Sequence, residues 1–158
     1  MIKLVCVGRL KERFCEEGAG YYAGRFQSGS LSIIEVPDES APERLSEAQK
    51  RKIMEKEGEA LLKEIAPGEA VVALDAAGAK YSEAEIRAVI RKHNGNLAFV
   101  IGGSLGLGSN ALARADYKWS LSPMTLPHQL ARAAVAGALA QSLVKTVKTE
   151  NPVDKLKI

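Results

Sequence analysis

The sequence predicts an α/β fold built around a mostly parallel β-sheet. Short apolar segments of strand length alternate with longer segments in which apolar residues recur every three to four positions. Two of the longer segments begin with a capping box, the pair of polar residues that marks a helix N-terminus. One short segment, residues 97–101, is apolar throughout, and we expect it at the centre of the sheet because both its faces must be covered.

The first half of the chain contains three predicted strands and two predicted helices. The strands are residues 2–8, 32–36 and 70–75. The first helix is expected over residues 11–27, and the second begins after Ser46 and ends near Ile65. Ser46 and Gln49 have the spacing of a capping box, and Pro67 stops the second helix.

The second half continues the alternation up to the C-terminus. Ser82 and Glu85 form the other capping box, and their helix precedes the apolar strand 97–101. A glycine-rich loop, a short helix from Ser109, a strand over 117–122 and a helix from His128 to about residue 148 follow. The pattern holds from end to end, so residues 1–158 are predicted to form one domain.

Composition excludes several classes of protein. The chain is 46% hydrophobic and 26% charged, and no apolar run reaches the ~20 residues that span a bilayer, so no membrane association is expected. Its N-terminus does not resemble a signal peptide. Cys6 and Cys15 form no disulfide framework and no metal motif, which fits reduced thiols and a cytoplasmic location.

The charge is unevenly distributed along the chain. The net charge is +3, with 11 basic against 13 acidic residues in 1–70 and 11 against 6 in 71–158. The basic second half could face phosphates, although ordinary surface scatter explains it equally well.

Three loops are candidates for a ligand site, because parallel sheets bind ligands at the carboxyl ends of their strands. The first follows Leu74-Asp75, the second is 102–108 with four glycines, and the third is 120–128 with Pro123 and Pro127. Glycine lets a backbone approach a ligand closely, and proline limits the entropy lost when a loop becomes ordered. Together the loops would form a cleft with apolar walls and backbone donors, suited to an adenine ring and a thioether.

Each candidate feature also has a plainer interpretation. The stretch 106–111 resembles a dinucleotide fingerprint, but it follows the fourth strand, and no acid lies about 20 residues further on to hold a ribose. His128 and Arg132 share one face of the last helix and could contact a phosphate or a base. Alternatively, the histidine caps the loop and the arginine lies in water. Asp75 could simply satisfy the amides of a turn.

The last helix is unusually rich in small residues. Ala131, Ala133, Ala134, Ala136, Gly137, Ala138 and Ala140 form a run of little bulk. Small residues permit close approach of helices, either within the core or across a homodimer interface. Burial of Leu130, Val135, Leu139, Leu143 and Val144 beside them would supply the apolar area.

At these loops the sequence resembles the bacterial ribosomal large-subunit methyltransferase H family of the SPOUT class. The two most specific stretches are 99–107, which reads Phe-Val-Ile-Gly-Gly-Ser-Leu-Gly-Leu, and 121–132, which reads Leu-Ser-Pro-Met-Thr-Leu-Pro-His-Gln-Leu-Ala-Arg. Further matches lie at 7–11, 34–38 and 55–59, so the resemblance covers nearly the whole chain.

The resemblance implies a fold, a cofactor and a substrate. The fold would be a parallel-sheet SPOUT fold with a C-terminal trefoil knot. The cofactor would be S-adenosylmethionine, and a homodimer would methylate N3 of a pseudouridine in large-subunit rRNA within the assembled ribosome. The catalytic positions would be His128 and Arg132. The cofactor positions would be Leu74, Gly102, Gly103, Leu121, Ser122, Pro123, Met124, Thr125 and Leu126.

The C-terminal part departs from the family pattern. The helix reads Ala-Gly-Ala-Leu-Ala-Gln-Ser at 136–142, without the family's arginine, and the tail 150–158 lacks the terminal Tyr-His. Those groups complete the acceptor site in the family. The departure leaves two alternatives open: a SPOUT protein with another RNA target, or a non-catalytic protein that binds S-adenosylmethionine or RNA. A nicotinamide-dependent oxidoreductase is a third alternative.

Overall fold

A single five-stranded parallel sheet forms the centre of the computed structural model, which describes residues 1–26, 30–40, 42–124 and 126–143. The strands are β1 (Ile2–Val7), β2 (Leu31–Val36), β3 (Ala70–Ala79), β4 (Leu97–Ile101) and β5 (Tyr117–Trp119). Their order is β2-β1-β4-β3-β5, and all pairs are parallel. The all-apolar β4 is buried at every position in the middle of the sheet, as predicted.

In the part of the chain that the structure describes, five helices cover the two faces of this sheet. They are α1 (Arg13–Ala23), α2 (Glu47–Lys63), α3 (Glu83–Lys92), α4 (Ser109–Arg114) and α5 (His128–Leu143). Alternate residues of each strand point to opposite faces. Leu4 and Phe99 therefore join a core with α3 and α5, whereas Val5 and Val100 join a second core with α2 and α4. None of the described helices is both long and apolar enough to cross a membrane.

The predicted helix starts are confirmed because they depend on local chemistry. Ser46 accepts a hydrogen bond from the backbone N–H of Gln49, and the Gln49 side chain accepts one from Ser46 N–H. Ser82 and Glu85 form the same reciprocal pair at the start of α3. The predicted first helix, 11–27, is too long, since α1 spans only Arg13–Ala23.

The prediction is wrong at two strand ends. β3 continues to Ala79 through an irregularity in its pairing with β5, well beyond the predicted end at Asp75. β5 ends at Trp119, so residues 120–122 are not strand. The chain bends after Ser120, and the single hydroxyl proton of Ser120, which lies between the carbonyl oxygens of Ala76 (3.1 Å) and Ser122 (3.0 Å), holds this bend.

The small residues of α5 allow close packing against α1 within one protomer. A Cβ at Gly18 would lie 3.7 Å from the Ala133 Cβ, and one at Gly137 would lie 3.1 Å from the Tyr22 ring. Val135 and Leu139 are fully buried within the protomer, as predicted, whereas Leu130 is 40% exposed there, so its burial would require the homodimer interface. The predicted extension of the helix to residue 148, including Val144, lies outside the described residues.

Gly108 provides a test of how tightly α2 supports the loop before α4. A Cβ at Gly108 would lie 2.6 Å from the Met54 carbonyl oxygen. We expect Gly108→Ala to lower the free energy of unfolding by about 1–3 kcal/mol, because backbone must move to admit the methyl group. Urea denaturation at fixed protein concentration measures this.

Gly20→Ala is the matched control, because a Cβ there meets nothing within 4 Å. It should leave stability unchanged or raise it by about 0.5–1 kcal/mol, since alanine favours a helix interior. Equal effects of the two substitutions would contradict the close contact between α2 and the loop.

Candidate active site

A cavity of about 620 Å³ opens at the carboxyl ends of β3, β4 and β5. Its wall is mainly apolar side chains and loop backbone. The lining residues are Leu74, Asp75, Ala76, Ile101, Gly102, Gly103, Ser104, Leu105, Gly106, Leu107, Leu112, Trp119, Leu121, Ser122, Met124, Leu126, Pro127, His128 and Ala131. Two of the three loops singled out in the sequence thus meet around one space, and the third segment, after Leu74-Asp75, borders it as part of β3.

Most of the expected cofactor positions line this cavity. They are Leu74, Gly102, Gly103, Leu121, Ser122, Met124 and Leu126. Pro123 is absent from the lining, and Thr125 lies outside the described residues. Of the two expected catalytic residues, His128 lines the cavity and Arg132 does not. Whether these residues bind a ligand or act on one stays a prediction.

Glycines in the 102–108 loop allow its own backbone to fold back on itself and to pack against α2. A Cβ at Gly102 would lie 2.5 Å from the Gly106 carbonyl group, and Gly106 has a φ of +91°, which favours glycine. The Gly106 N–H donates to the Gly103 carbonyl oxygen at 3.0 Å and closes the turn. A Cβ at Gly103 would lie 2.9 Å from a Glu57 carboxylate oxygen. At Gly103, therefore, the missing side chain makes room for the protein's own carboxylate.

Glu57 is a buried acid that sequence analysis did not single out. Only 5% of its surface is exposed, and one carboxylate oxygen accepts a hydrogen bond from the Glu39 N–H at 3.1 Å. Burial raises the pKa of Glu57, the carboxylates of Asp38 and Glu39 add to the rise, and the backbone N–H groups of Glu39 and Gly103 oppose it. The acid's position on α2, behind Gly103, could be found only from the packed structure.

α2 also fixes the far end of the glycine-rich loop. The Glu55 carboxylate accepts a hydrogen bond from the Ser109 N–H at 2.9 Å, and the Asn110 amide donates to the Glu55 carbonyl oxygen at 2.8 Å. One helix therefore supports the cavity wall at both ends of the loop.

His128 is the first residue of α5 and stands at the edge of the cavity. Partial burial lowers its pKa from the ordinary value of 6.5, and the positive charges of Arg132 and Lys11 lower it further, while Asp38 acts in the opposite direction. The imidazole is therefore neutral at neutral pH. A neutral imidazole can accept a proton from a bound group.

Arg132 lies one turn further along α5 and is only 1% exposed. Its guanidinium pairs with the Glu35 carboxylate and donates to the carbonyl oxygens of Gly8 (2.7 Å) and Val7 (3.4 Å). The alternative that placed this arginine in water is therefore wrong. In this conformation the guanidinium joins α5 to the ends of β1 and β2.

Neighbouring side chains reinforce this junction. Gln129 accepts hydrogen bonds from the N–H groups of Lys11 (2.9 Å) and Glu12 (3.0 Å), which fixes the loop between β1 and α1 against α5. Cys6 lies beside Arg132, and burial raises the pKa of its thiol to about 12. Both Cys6 and Cys15 are buried, in agreement with the expected inert thiols.

Comparison with known proteins identifies the family. The family described as "Predicted SPOUT methyltransferase" matches residues 1–140. The chain belongs to this family. Membership implies the C-terminal trefoil knot that the resemblance predicted, and it accounts for the parallel sheet. Residues 141–158, which contain the divergent tail, lie beyond the match.

Curated relatives agree with this assignment. The chain is 46% identical over 134 residues to a protein of Alkaliphilus oremlandii, with 82% of this chain and 84% of the relative covered. It is 40% identical over 154 residues to one of Ruminiclostridium cellulolyticum, covering 94% and 96%. Both relatives are named ribosomal RNA large subunit methyltransferase H.

A solved structure supports the fold alone. The crystal structure of TrmJ from Z. mobilis ZM4 is similar with a TM-score of 0.52 and 14% sequence identity, over 92% of this chain and 71% of that one. At that identity the similarity concerns the chain's path and not its chemistry.

The opposite charges of Lys11 and Asp38 should shift the pKa of His128 in opposite directions. Lys11→Gln removes a positive charge and should raise the His128 pKa, whereas Asp38→Asn removes a negative charge and should lower it. Both residues are exposed, so the fold should be retained. NMR titration of the imidazole at low ionic strength measures the shifts, with His128→Gln used to assign the signal. Shifts of the same sign in both variants would contradict the described surroundings of His128.

Proposed function

We propose that this protein is an S-adenosylmethionine-dependent methyltransferase that methylates N3 of a pseudouridine in large-subunit rRNA, within the assembled ribosome. The observation that carries the proposal is the cavity at the carboxyl ends of β3, β4 and β5, with a neutral His128 at its edge. The names of the relatives supply the substrate class.

The cavity suits the proposed cofactor in size and chemistry. A volume of about 620 Å³ lies in the range of small-molecule sites, which run from roughly 300 to 1,000 Å³. Leu74, Leu121 and Leu126 offer apolar contacts for an adenine ring, and the loop backbones offer hydrogen-bonding groups. S-adenosylmethionine would supply an electrophilic methyl group carried on a sulfonium.

The chain's own residues would then position the acceptor and remove its proton. In-line transfer requires the acceptor nitrogen within ~3 Å of the methyl carbon and aligned with the bond that breaks. N3 of a pseudouridine carries a proton, which a neutral His128 could accept. Arg132 would act in this arrangement by holding the first turn of α5, and with it His128, against β1 and β2.

Two adjacent alanines allow a test of the cofactor site. Ala76 lines the cavity, whereas Ala77, also exposed, does not. Ala76→Trp should weaken S-adenosylmethionine binding by about tenfold or more, because the indole would occupy cofactor space, and Ala77→Trp should bind normally. Calorimetry measures the affinity of each variant for S-adenosylmethionine. Neither variant nor the wild type should bind NAD. Normal cofactor affinity in a folded Ala76→Trp variant would contradict the site, and tight NAD binding would favour the oxidoreductase alternative.

The C-terminal departure makes a non-catalytic binding protein, or one with another RNA target, the second candidate. The tail 150–158 lies outside the described residues, so the case for this second candidate rests on the sequence of the tail alone. Lys145, Lys148, Lys155 and Lys157 could contact phosphates, but a lysine cannot replace a positioned histidine or a planar guanidinium.

We therefore expect normal cofactor binding with slow methyl transfer. Loss of one acid–base or electrostatic group typically lowers a rate by ~10²-fold or more, and several groups are missing. The measurement is transfer of a tritiated methyl group to bacterial 70S ribosomes that lack the modification, beside a relative with the full Tyr-His tail. Equal turnover by the two enzymes would show that the tail's chemistry is dispensable here.

A homodimer is the assembly that the surface favours. Phe14 and Tyr21 on α1 are 64% and 63% exposed, and Leu130 on α5 is 40% exposed. Phe14 and Tyr21 are seven positions apart on α1, and Leu130 and exposed Ala134 are four apart on α5, so each helix presents an apolar stripe. Because α1 and α5 pack side by side, a second copy of the chain could cover both stripes.

Ala134→Arg should therefore shift the protein from dimer to monomer in sedimentation velocity, because it places a charge on this apolar surface. Ala84→Arg, at an exposed position of α3, is the control and should remain dimeric. Ala138→Arg is less informative, since Ala138 packs partly against the protomer's own core. A monomeric wild type, or a dimeric Ala134→Arg, would contradict the interface.

We place the protein in the cytoplasm, where ribosomes are its proposed substrate. This location rests on the proposed function together with the reduced, buried cysteines.

A further inference from the structure

Asp75 gives the cavity its charge. Among the described residues that line it, Asp75 is the one acidic residue, and none is lysine or arginine. His128 is the remaining ionisable group there, and its lowered pKa leaves it uncharged at neutral pH. The lining of the cavity therefore carries one negative charge, which lies within β3 beside Leu74.

The carboxylate of Asp75 is held by a hydrogen bond to one of its two oxygens. Its Oδ1 accepts a hydrogen bond from the Ala77 N–H at 3.0 Å, within the part of β3 where the pairing with β5 is irregular. No described residue forms a hydrogen bond or ion pair with Oδ2. The residue is half-buried, so its charge is less screened than that of a fully exposed carboxylate.

The proposed reaction changes the charge of the ligand at this site. The methyl group leaves sulfur without the bonding electron pair, which stays on sulfur, and forms a bond to the deprotonated N3. The sulfonium thereby becomes a neutral thioether. Substrate and product of the cofactor thus differ by one positive charge, and a fixed negative charge nearby favours the substrate.

We propose that Asp75 makes the cavity select the positively charged methyl donor over its neutral demethylated product. The proposal rests on the proposed function, since it requires S-adenosylmethionine as the ligand. Asp75 would then be a specificity-determining residue. Its attraction for the ligand is lost when methyl transfer removes the positive charge, and this loss favours release of S-adenosylhomocysteine and entry of the next donor.

Asparagine separates this electrostatic role from the structural one. An asparagine Oδ1 accepts the same hydrogen bond from Ala77 N–H, so Asp75→Asn keeps this contact and removes only the charge. Glu83→Gln is the matched control, because it removes one carboxylate charge from the same β3–α3 region at an exposed residue outside the cavity lining.

The test is calorimetric binding of three ligands to the full chain: S-adenosylmethionine, its neutral product S-adenosylhomocysteine, and sinefungin, in which an amine replaces the methylated sulfonium. In Asp75→Asn we expect about tenfold weaker binding of both positively charged ligands, equivalent to about 1.4 kcal/mol, and a change within about twofold for the product. Glu83→Gln should leave the donor-to-product affinity ratio unchanged.

Equal weakening of all three ligands in Asp75→Asn would overturn the proposal, because Asp75 would then contact a part that donor and product share. Unchanged affinity of Asp75→Asn for all three ligands would also overturn the proposal. In the wild type, rising salt concentration should weaken binding of the donor more than binding of the product. A donor-to-product affinity ratio that does not change with salt would count against the proposal. Failure of the wild type to bind S-adenosylmethionine at all would instead contradict the proposed function.

Discussion

The buried guanidinium of Arg132 is the interaction on which the arrangement of the site depends. It joins α5, the last described helix, to the carboxyl ends of β1 and β2 through the Gly8 and Val7 carbonyl oxygens and the Glu35 carboxylate. Removal of a buried charged partner commonly costs about 3–5 kcal/mol, although Glu35 is partly exposed and water would reduce that cost here. The interaction matters because it fixes the helix turn that begins with His128.

The rest of the site follows from two supports placed on opposite faces of the sheet. α5 can lie close to α1 because Gly18 and Gly137 leave room. Leu121, Ser122 and Met124, which precede α5, line the cavity together with residues of β3 and β4. On the other face, α2 holds the glycine-rich loop through Glu55 and the buried Glu57. The loops that form much of the cavity wall are therefore held by helices and strands, as a site for aligned group transfer requires.

Sequence reasoning succeeded where the determinants are local and failed where they are distant. The capping boxes at Ser46 and Ser82 act over three residues, and the central position of β4 follows from its unbroken apolar run. Arg132 could not be placed, because its partner Glu35 lies 97 positions away and a lone arginine is usually exposed. The end of β5 was misplaced because the Ser120 hydroxyl binds carbonyl groups that only the folded chain brings near.

The same distinction applies to the site. The three loops were predicted to meet because parallel strands present their carboxyl ends at one edge, and seven of the expected cofactor residues line the cavity there. The burial of Glu57 behind Gly103, and the presence of Asp75 in a wall otherwise free of acids among the described residues, depend on packing that no spacing in the sequence reveals.

The central claim is that this chain methylates large-subunit rRNA, and its most direct test is mass spectrometry of rRNA nucleosides from cells that lack the gene. N3-methylpseudouridine should disappear from the large-subunit rRNA of these cells and return when the wild-type gene is restored. An unchanged set of methylated nucleosides in the rRNA of the deletion strain would contradict it.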